Sequence, residues 1–312
     1  MLNSIKNKEH NSKPKPLELD QQKTKDGGIF GYSKGFFIIQ LSFLIFLTSW
    51  QILHGIFPSL EMILILSILM LVWRAQHRAL LRDLLPFLIL LISFQSLRDF
   101  ADNLSTVDVH VTDLISYEKL LFSGIIPSHY LQTTLTDLPY SPAIGVIASI
   151  FYMSHFVVPV IVAMILWRKN RSLYWNFITG LLILSYLGFV TYVFYPAAPP
   201  WWATKYGFLT DQPVYILSYS MPEAIQAAGP NPVAAMPSLH MAYPTYIMSF
   251  CIYVWGRKLS WLIILPLGVA FSTVYLGHHY VIDLIAGAVY ALVILGLLIL
   301  WKKIYSRFRK TE

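Results

Sequence analysis

The chain has 312 residues, of which 56% are hydrophobic and 12% charged, with a mean hydropathy of +0.58. Soluble domains carry roughly 25% charged residues, so the composition excludes an ordinary soluble fold and indicates an integral membrane protein. The net charge of +7 does not indicate nucleic-acid binding, because the basic residues sit in short clusters between apolar segments, as membrane topology requires.

Residues 1–34 contain seven lysines with many Asn, Gln and Pro, and read as a disordered basic cytoplasmic tail. Their polarity leaves no apolar region for a cleavable signal peptide. About eight apolar segments follow, near 36–56, 58–73, 83–97, 143–166, 173–195, 238–256, 259–277 and 281–301. A spanning helix needs about 20 residues, with a range of roughly 17–25. The fold class is therefore all-α, a polytopic membrane protein with about eight transmembrane helices. The second and third segments are short for a span. The single cysteine, Cys251, excludes an intrachain disulfide, and no internal repeat is evident.

Eight spans alternate the connections between two sides. One side receives the tail, the turns near 74–82 and 168–171, Arg257, Lys258 and the C-terminal basic cluster, which together hold 20 of the 23 basic residues. Only Arg98, Lys119 and Lys205 fall on the other side. This bias predicts that both termini are cytoplasmic. Two long connections, 98–142 and 196–237, then lie outside. The first has amphipathic character from Leu114 to Leu135, which predicts a helix lying along the interface or dipping into it. The second opens Tyr195-Pro196-Ala197-Ala198-Pro199-Pro200-Trp201-Trp202, whose prolines argue against a regular helix and whose tryptophans suit the headgroup level.

Chemistry concentrates in two histidine signals on that outer side. One is Pro237-Ser238-Leu239-His240, and the other runs from Ser272 and Thr273 through Tyr275, His278 and His279 to Asp283. Two membrane-length stretches separate them, so the chain leaves and returns to the same face. His279 and Asp283 are four residues apart, one turn along one helix face. A carboxylate there fixes the imidazole tautomer and leaves the other nitrogen as nucleophile; the same spacing also serves merely to stabilise a helix end. Pro237 and Ser238 suit a helix start, where Ser238 caps the helix or contacts an anion. His240 would then act as general acid, a role worth about 10²–10⁴ in rate, or stand as an interfacial histidine. The spacing to Asp283 selects His279 over His278, which reads as structural. His110 and His129 read as loop residues rather than metal ligands, and His155 as a packed polar residue.

Pro-Ser-x-His followed by Ser-x₆-His-x₃-Asp resembles the second and third signatures of the type 2 phosphatidic acid phosphatase superfamily. Ser272-Thr273-x-Tyr275-Leu276-x-His278-His279-Tyr280-x-x-Asp283 and the Pro-Trp loop are similar to its inositol phosphorylceramide synthase branch. The resemblance covers roughly residues 95–300. It implies a six-helix catalytic core over 83–305, preceded by two additional spans in 35–82 and followed by a short tail, 306–312. It further implies a phosphohistidine on His279, oriented by Asp283, with His240 as acid or base and Ser238 and Ser272 on the phosphate. Thr273 and Tyr275 are further substrate-binding candidates. The phosphatase pattern has an arginine where this chain has Thr273, and the Lys/Arg first signature is replaced by the Pro-Trp loop. That favours a phosphotransferase; Arg98 is the candidate cation for the phosphate, or else an interfacial arginine that snorkels or pairs with Asp99.

The expected activity is transfer of a phosphoryl-containing group, such as inositol phosphate, from a phospholipid donor to a lipid or alcohol acceptor. No cofactor, metal or nucleic-acid partner is expected, and the plasma membrane is the expected location. The alternatives are a lipid phosphate phosphatase with water as acceptor, and a non-catalytic transporter or lipid-binding protein. A transporter is disfavoured because the ionisable residues gather at one face rather than at the bilayer midplane.

Overall fold

The computed structural model describes residues 101–209 and 232–308, with Ser42, Asp83, Ile89, Leu90, Ile92, Ser93, Phe94, Leu97 and Arg98 before them. The first two predicted spans and most of the third lie outside the described residues, as do residues 1–34. The described chain is helical, and no strand forms in it beyond isolated bridges.

In chain order the helices are α1 (Ala101–Leu104), α2 (Thr112–Leu121), α3 (Pro127–Thr136), α4 (Ser141–Lys169) and α5 (Arg171–Phe194). Then come α6 (Pro200–Lys205), α7 (Leu239–Trp255), a 3₁₀ segment (Arg257–Ile263) running into α8 (Ile264–Tyr275), and α9 (Val281–Phe308). Four stretches are long and apolar enough to cross a membrane: Ser141–Lys169, Arg171–Phe194, Arg257–Tyr275 and Val281–Tyr305. With 17 residues, α7 meets the lower limit of a spanning length, about 17. These helices coincide with the last five apolar segments of the sequence.

Local chemistry sets the helix ends. One residue, Asn170, joins α4 to α5: its N–H donates to the Leu166 carbonyl at 2.7 Å, and its side-chain oxygen accepts the Leu173 N–H at 3.0 Å. Arg168 and Lys169 in the last turn of α4 oppose the negative end of its dipole. At this end Asp83 is buried and receives Arg171 Nε–H (2.7 Å) and Trp167 Nε1–H (2.8 Å), which fastens the preceding segment to the α4–α5 turn.

The core lies between α5, α7 and α9, where Tyr174, Phe177, Leu184, Tyr246, Ile247 and Phe250 are buried. The outward faces are apolar instead. On α4, Val146, Ile150, Val157, Ile161 and Ile165 are exposed; on α9, Ile285, Val289, Leu292 and Leu300. Apolar stripes of this length are satisfied by lipid, not water. The chain is an integral membrane protein.

The amphipathic stretch 114–135 forms two short helices rather than one. Ser123 and Gly124 adopt positive φ (53° and 92°), and Pro127 begins α3, so the chain turns between them. On α2, Leu114, Ile115 and Glu118 face inward while Tyr117, Leu120 and Leu121 are exposed. The proline-rich connection also departs from the sequence reading, because Pro200 sits in the first turn of α6, where a missing N–H costs nothing.

The outer connections zip together. Backbone bonds join His110 to Pro196 and Ala198, and Ala197 to Val233 and Ala235, at 2.7–3.1 Å. His110 stacks on Tyr195 at a centroid distance of 3.7 Å and bonds Asp113 at 2.6 Å through Nδ1, so it does not join His129. The result is a lid of irregular chain above the ends of α7, α8 and α9.

Candidate active site

The two histidine signals converge at that end. The hydroxyl oxygen of Ser238 accepts the Met241 N–H at 3.3 Å and so caps α7, which places His240 in the first turn. The Ser238 N–H donates to the Asp283 carbonyl at 3.0 Å, joining the start of α7 directly to the first turn of α9. Close approach requires Gly287, since a Cβ there would strike the Ser238 carbonyl oxygen.

His279 occupies the turn between α8 and α9. After Tyr275 the chain reverses through Gly277 (φ 71°), and the Thr273 carbonyl accepts the N–H groups of His278 (2.9 Å) and His279 (3.2 Å). His279 Nδ1 lies 3.4 Å from Asp283 Oδ2, and its Nε2 lies 2.9 Å from His240 Nδ1. If Nδ1–H faces the carboxylate, Nε2 is the acceptor and His240 donates to it. The same Asp283 oxygen accepts the Tyr280 N–H at 2.9 Å, the reciprocal half of a capping box. His279 is 3% exposed and Asp283 fully buried. Burial pushes the His279 imidazole down to about 3, with the Ala235 backbone acting the other way, so the ring is neutral near pH 7.

The remaining candidates divide. Ser272 is fully buried, and among the described residues its hydroxyl, His278 Nε2 and Asp283 Oδ1 meet no hydrogen-bond partner. Thr273 instead donates its hydroxyl to the Val269 carbonyl at 2.9 Å, so this side chain is held by its own helix. The Tyr275 ring stacks on the exposed Phe271 at 5.7 Å. Arg98 is half-buried and lies within electrostatic reach of His240 and Tyr192.

A profile described as PAP2 superfamily matches residues 113–297, well over half of the chain. The chain belongs to the PAP2 superfamily. A relative in Bacteroides thetaiotaomicron, phosphoinositol dihydroceramide synthase, is 30% identical over 226 residues, covering 65% of this chain and 72% of the relative. No solved structure matches the chain significantly.

Three residues of this PAP2 protein near the histidines carry no motif signal. Tyr152 of α4 lies against His240 (4.7 Å between centroids) and His278 (4.9 Å), while His155 meets His240 edge-on at 4.1 Å. The His155 Nδ1–H donates to the Tyr152 carbonyl. His155 is thus packed, as its apolar setting suggested, but packed against the histidine pair. The third is Glu118 of α2, 1% exposed, whose carboxylate accepts the Val281 N–H at 2.9 Å. Only its position in an inward-facing stripe with Leu114 and Ile115 hinted at burial.

Proposed function

We propose that this protein is a phosphotransferase acting on lipid phosphates through a phosphohistidine on His279 at the outer membrane face. The observation that carries this reading is the row Asp283–His279–His240, with contacts of 3.4 and 2.9 Å. PAP2 membership supports the class of chemistry. The relative's name supports an inositol-phosphate head group and a sphingolipid acceptor.

His240 Nδ1 and His279 Nε2 lie 2.9 Å apart, close enough to act on one phosphodiester. His279 Nε2 then attacks phosphorus. The bond from phosphorus to the diacylglycerol oxygen breaks, and that oxygen takes a proton from Nδ1 of the His240 imidazolium, a form favoured by the entering anion. In the second half, neutral His240 takes the proton of the acceptor hydroxyl. The acceptor oxygen attacks phosphorus, and the N–P bond breaks. Asp283 holds the imidazole orientation and stabilises the cationic intermediate. Ser272, Arg98 and the His240 cation face the phosphoryl oxygens. Since two imidazoles supply both nucleophile and acid, the scheme requires no metal or cofactor.

The reading includes eight spans, a core over 83–305 after two extra helices, cytoplasmic termini and a plasma-membrane location. Three features support it: the charge asymmetry, the five apolar helices and the position of the site opposite Arg168, Lys169, Arg257 and Lys258.

The test is an alkaline detergent quench of purified protein mixed with ³²P-labelled phosphatidylinositol. The expected result is an acid-labile, base-stable protein label that is absent from His279→Ala and accumulates in Asp283-intact protein lacking acceptor. A His279→Ala variant with wild-type turnover would overturn the assignment. Release of the phosphorylated head group to water, undiminished by added ceramide or diacylglycerol, would make the protein a hydrolase.

A further inference from the structure

We infer that Glu118 is a positioning residue, holding the first turn of α9 from outside that helix and thereby setting the placement of His279 and Asp283. This rests on the reading of His279 and Asp283 as catalytic.

The first N–H groups of any helix lack intrahelical acceptors. In α9 the partners are divided between two carboxylates. Asp283, in the helix itself, takes the Tyr280 N–H. Glu118, 163 and 164 residues earlier, takes the next two: Oε1 accepts from Val281 at 2.9 Å and Oε2 accepts from Ile282 at 3.4 Å. The bidentate arrangement fixes both the height and the rotation of the helix start. An anion there is also favoured by the helix dipole. Leu114 and Ile115, buried one turn earlier on the same helix, seat α2.

The location gives this tie its consequence. Val281 and Ile282 are the residues between Tyr280 and Asp283, and His279 precedes Val281 by two. Any rotation of this turn changes the 3.4 Å approach of Asp283 to His279 and the 2.9 Å approach of His279 to His240. A shift of about 1 Å in reacting groups costs on the order of 10²-fold in rate. Glu118 also acts electrostatically on Tyr280. A carboxylate 99% hidden from solvent and engaged by two backbone donors is more than packing.

The experiment compares Glu118→Ala, Glu118→Gln and Glu118→Asp in the purified full-length protein. It measures donor-phospholipid kcat and KM, thermal unfolding, and hydrogen exchange at residues 280–283. Glu118→Ala should lower kcat by about 10–10²-fold with KM changed less than about two-fold, and accelerate exchange of the Val281 and Ile282 amides. Glu118→Gln, which keeps an oxygen acceptor in place, should recover to within about five-fold of wild type. If the Ala protein does not fold, Glu118→Asp decides, because it keeps the charge but withdraws the oxygens. Reduced kcat with faster exchange supports the tie, and wild-type values overturn it. Equal losses for Ala and Gln that merely follow thermal stability, or a change confined to KM, also overturn it. A wild-type protein without transfer activity would instead refute the proposed function, while amide exchange in the variants still reports whether Glu118 holds α9.

Discussion

Ser272 and Thr273 are neighbours, both fully buried, yet their hydroxyls have opposite situations. Thr273 donates its hydroxyl to the Val269 carbonyl, as helical threonines do, whereas the Ser272 hydroxyl has no hydrogen-bond partner among the described residues. A buried hydroxyl without a partner costs about 1–3 kcal/mol, and a phosphoryl oxygen would relieve that cost. Ser272→Ala is therefore expected to leave the melting temperature unchanged or raised while turnover falls by about 10–10²-fold. A variant that is less stable but equally active would show that the hydroxyl is structural. At Glu118, burial pushes the carboxyl up to about 7 from an ordinary 4.5; its two N–H bonds oppose this and the Asp283 charge adds to it. A carboxyl whose pKa rises on folding contributes stability below about 4.5, and that contribution is lost as pH rises through about 7. Asp283 and Tyr280 are the titratable groups facing it. Thermal unfolding of wild type should thus lose ground to Glu118→Gln between pH 4.5 and 7. A constant gap across that window would contradict the shift.

Helix ends and helix crossings decide how these residues meet. The α7–α9 crossing is set by Gly287, where any Cβ collides with the backbone carbonyl of Ser238 and cannot be accommodated by a side-chain rotation. Gly287→Ala should push α7 from α9, part the Ser238 N–H from the Asp283 carbonyl, and reduce turnover by about 10²-fold or more. Gly296→Ala, in the same helix but facing open space, should leave turnover unchanged. Equal activity of the two variants would remove the crossing from the account. Much of this level was legible in the sequence. Apolar runs mark α4, α5, α7, α8 and α9, Ser238 marks the α7 cap, and the four-residue spacing pairs His279 with Asp283, although His279 sits in the turn ahead of α9 and not on a helix face. The break between α2 and α3 had its signals in Gly124 and Pro127, which the amphipathic pattern obscured. A proline in the first helical turn, as at α6, reads in sequence like any helix breaker.

Across the whole molecule, charge and chemistry separate to opposite ends. Asp83 and Arg171 close one end among Arg168, Lys169, Arg257 and Lys258, while the histidines lie at the other under the zipped outer connections. Cys251 is buried in α7, so a thiol introduced at the surface can be read against a silent background. A membrane-impermeant maleimide should label Lys205→Cys in intact cells and Lys258→Cys only after lysis. The reverse pattern would invert the orientation and put the site on the cytoplasmic side.

Composition, apolar segment length and the two histidine signals alone determined that this is a helical membrane protein and singled out His240, His279 and Asp283, which the fold brings together. These properties depend on local order along the chain: hydrophobic runs, charge clusters and spacing within a turn. Tertiary structure alone decided that Tyr152 and His155 line the histidine pair and that Glu118 completes the start of α9. Each depends on contacts between segments distant in sequence, and no periodicity records which distant carboxylate will meet a given pair of backbone donors.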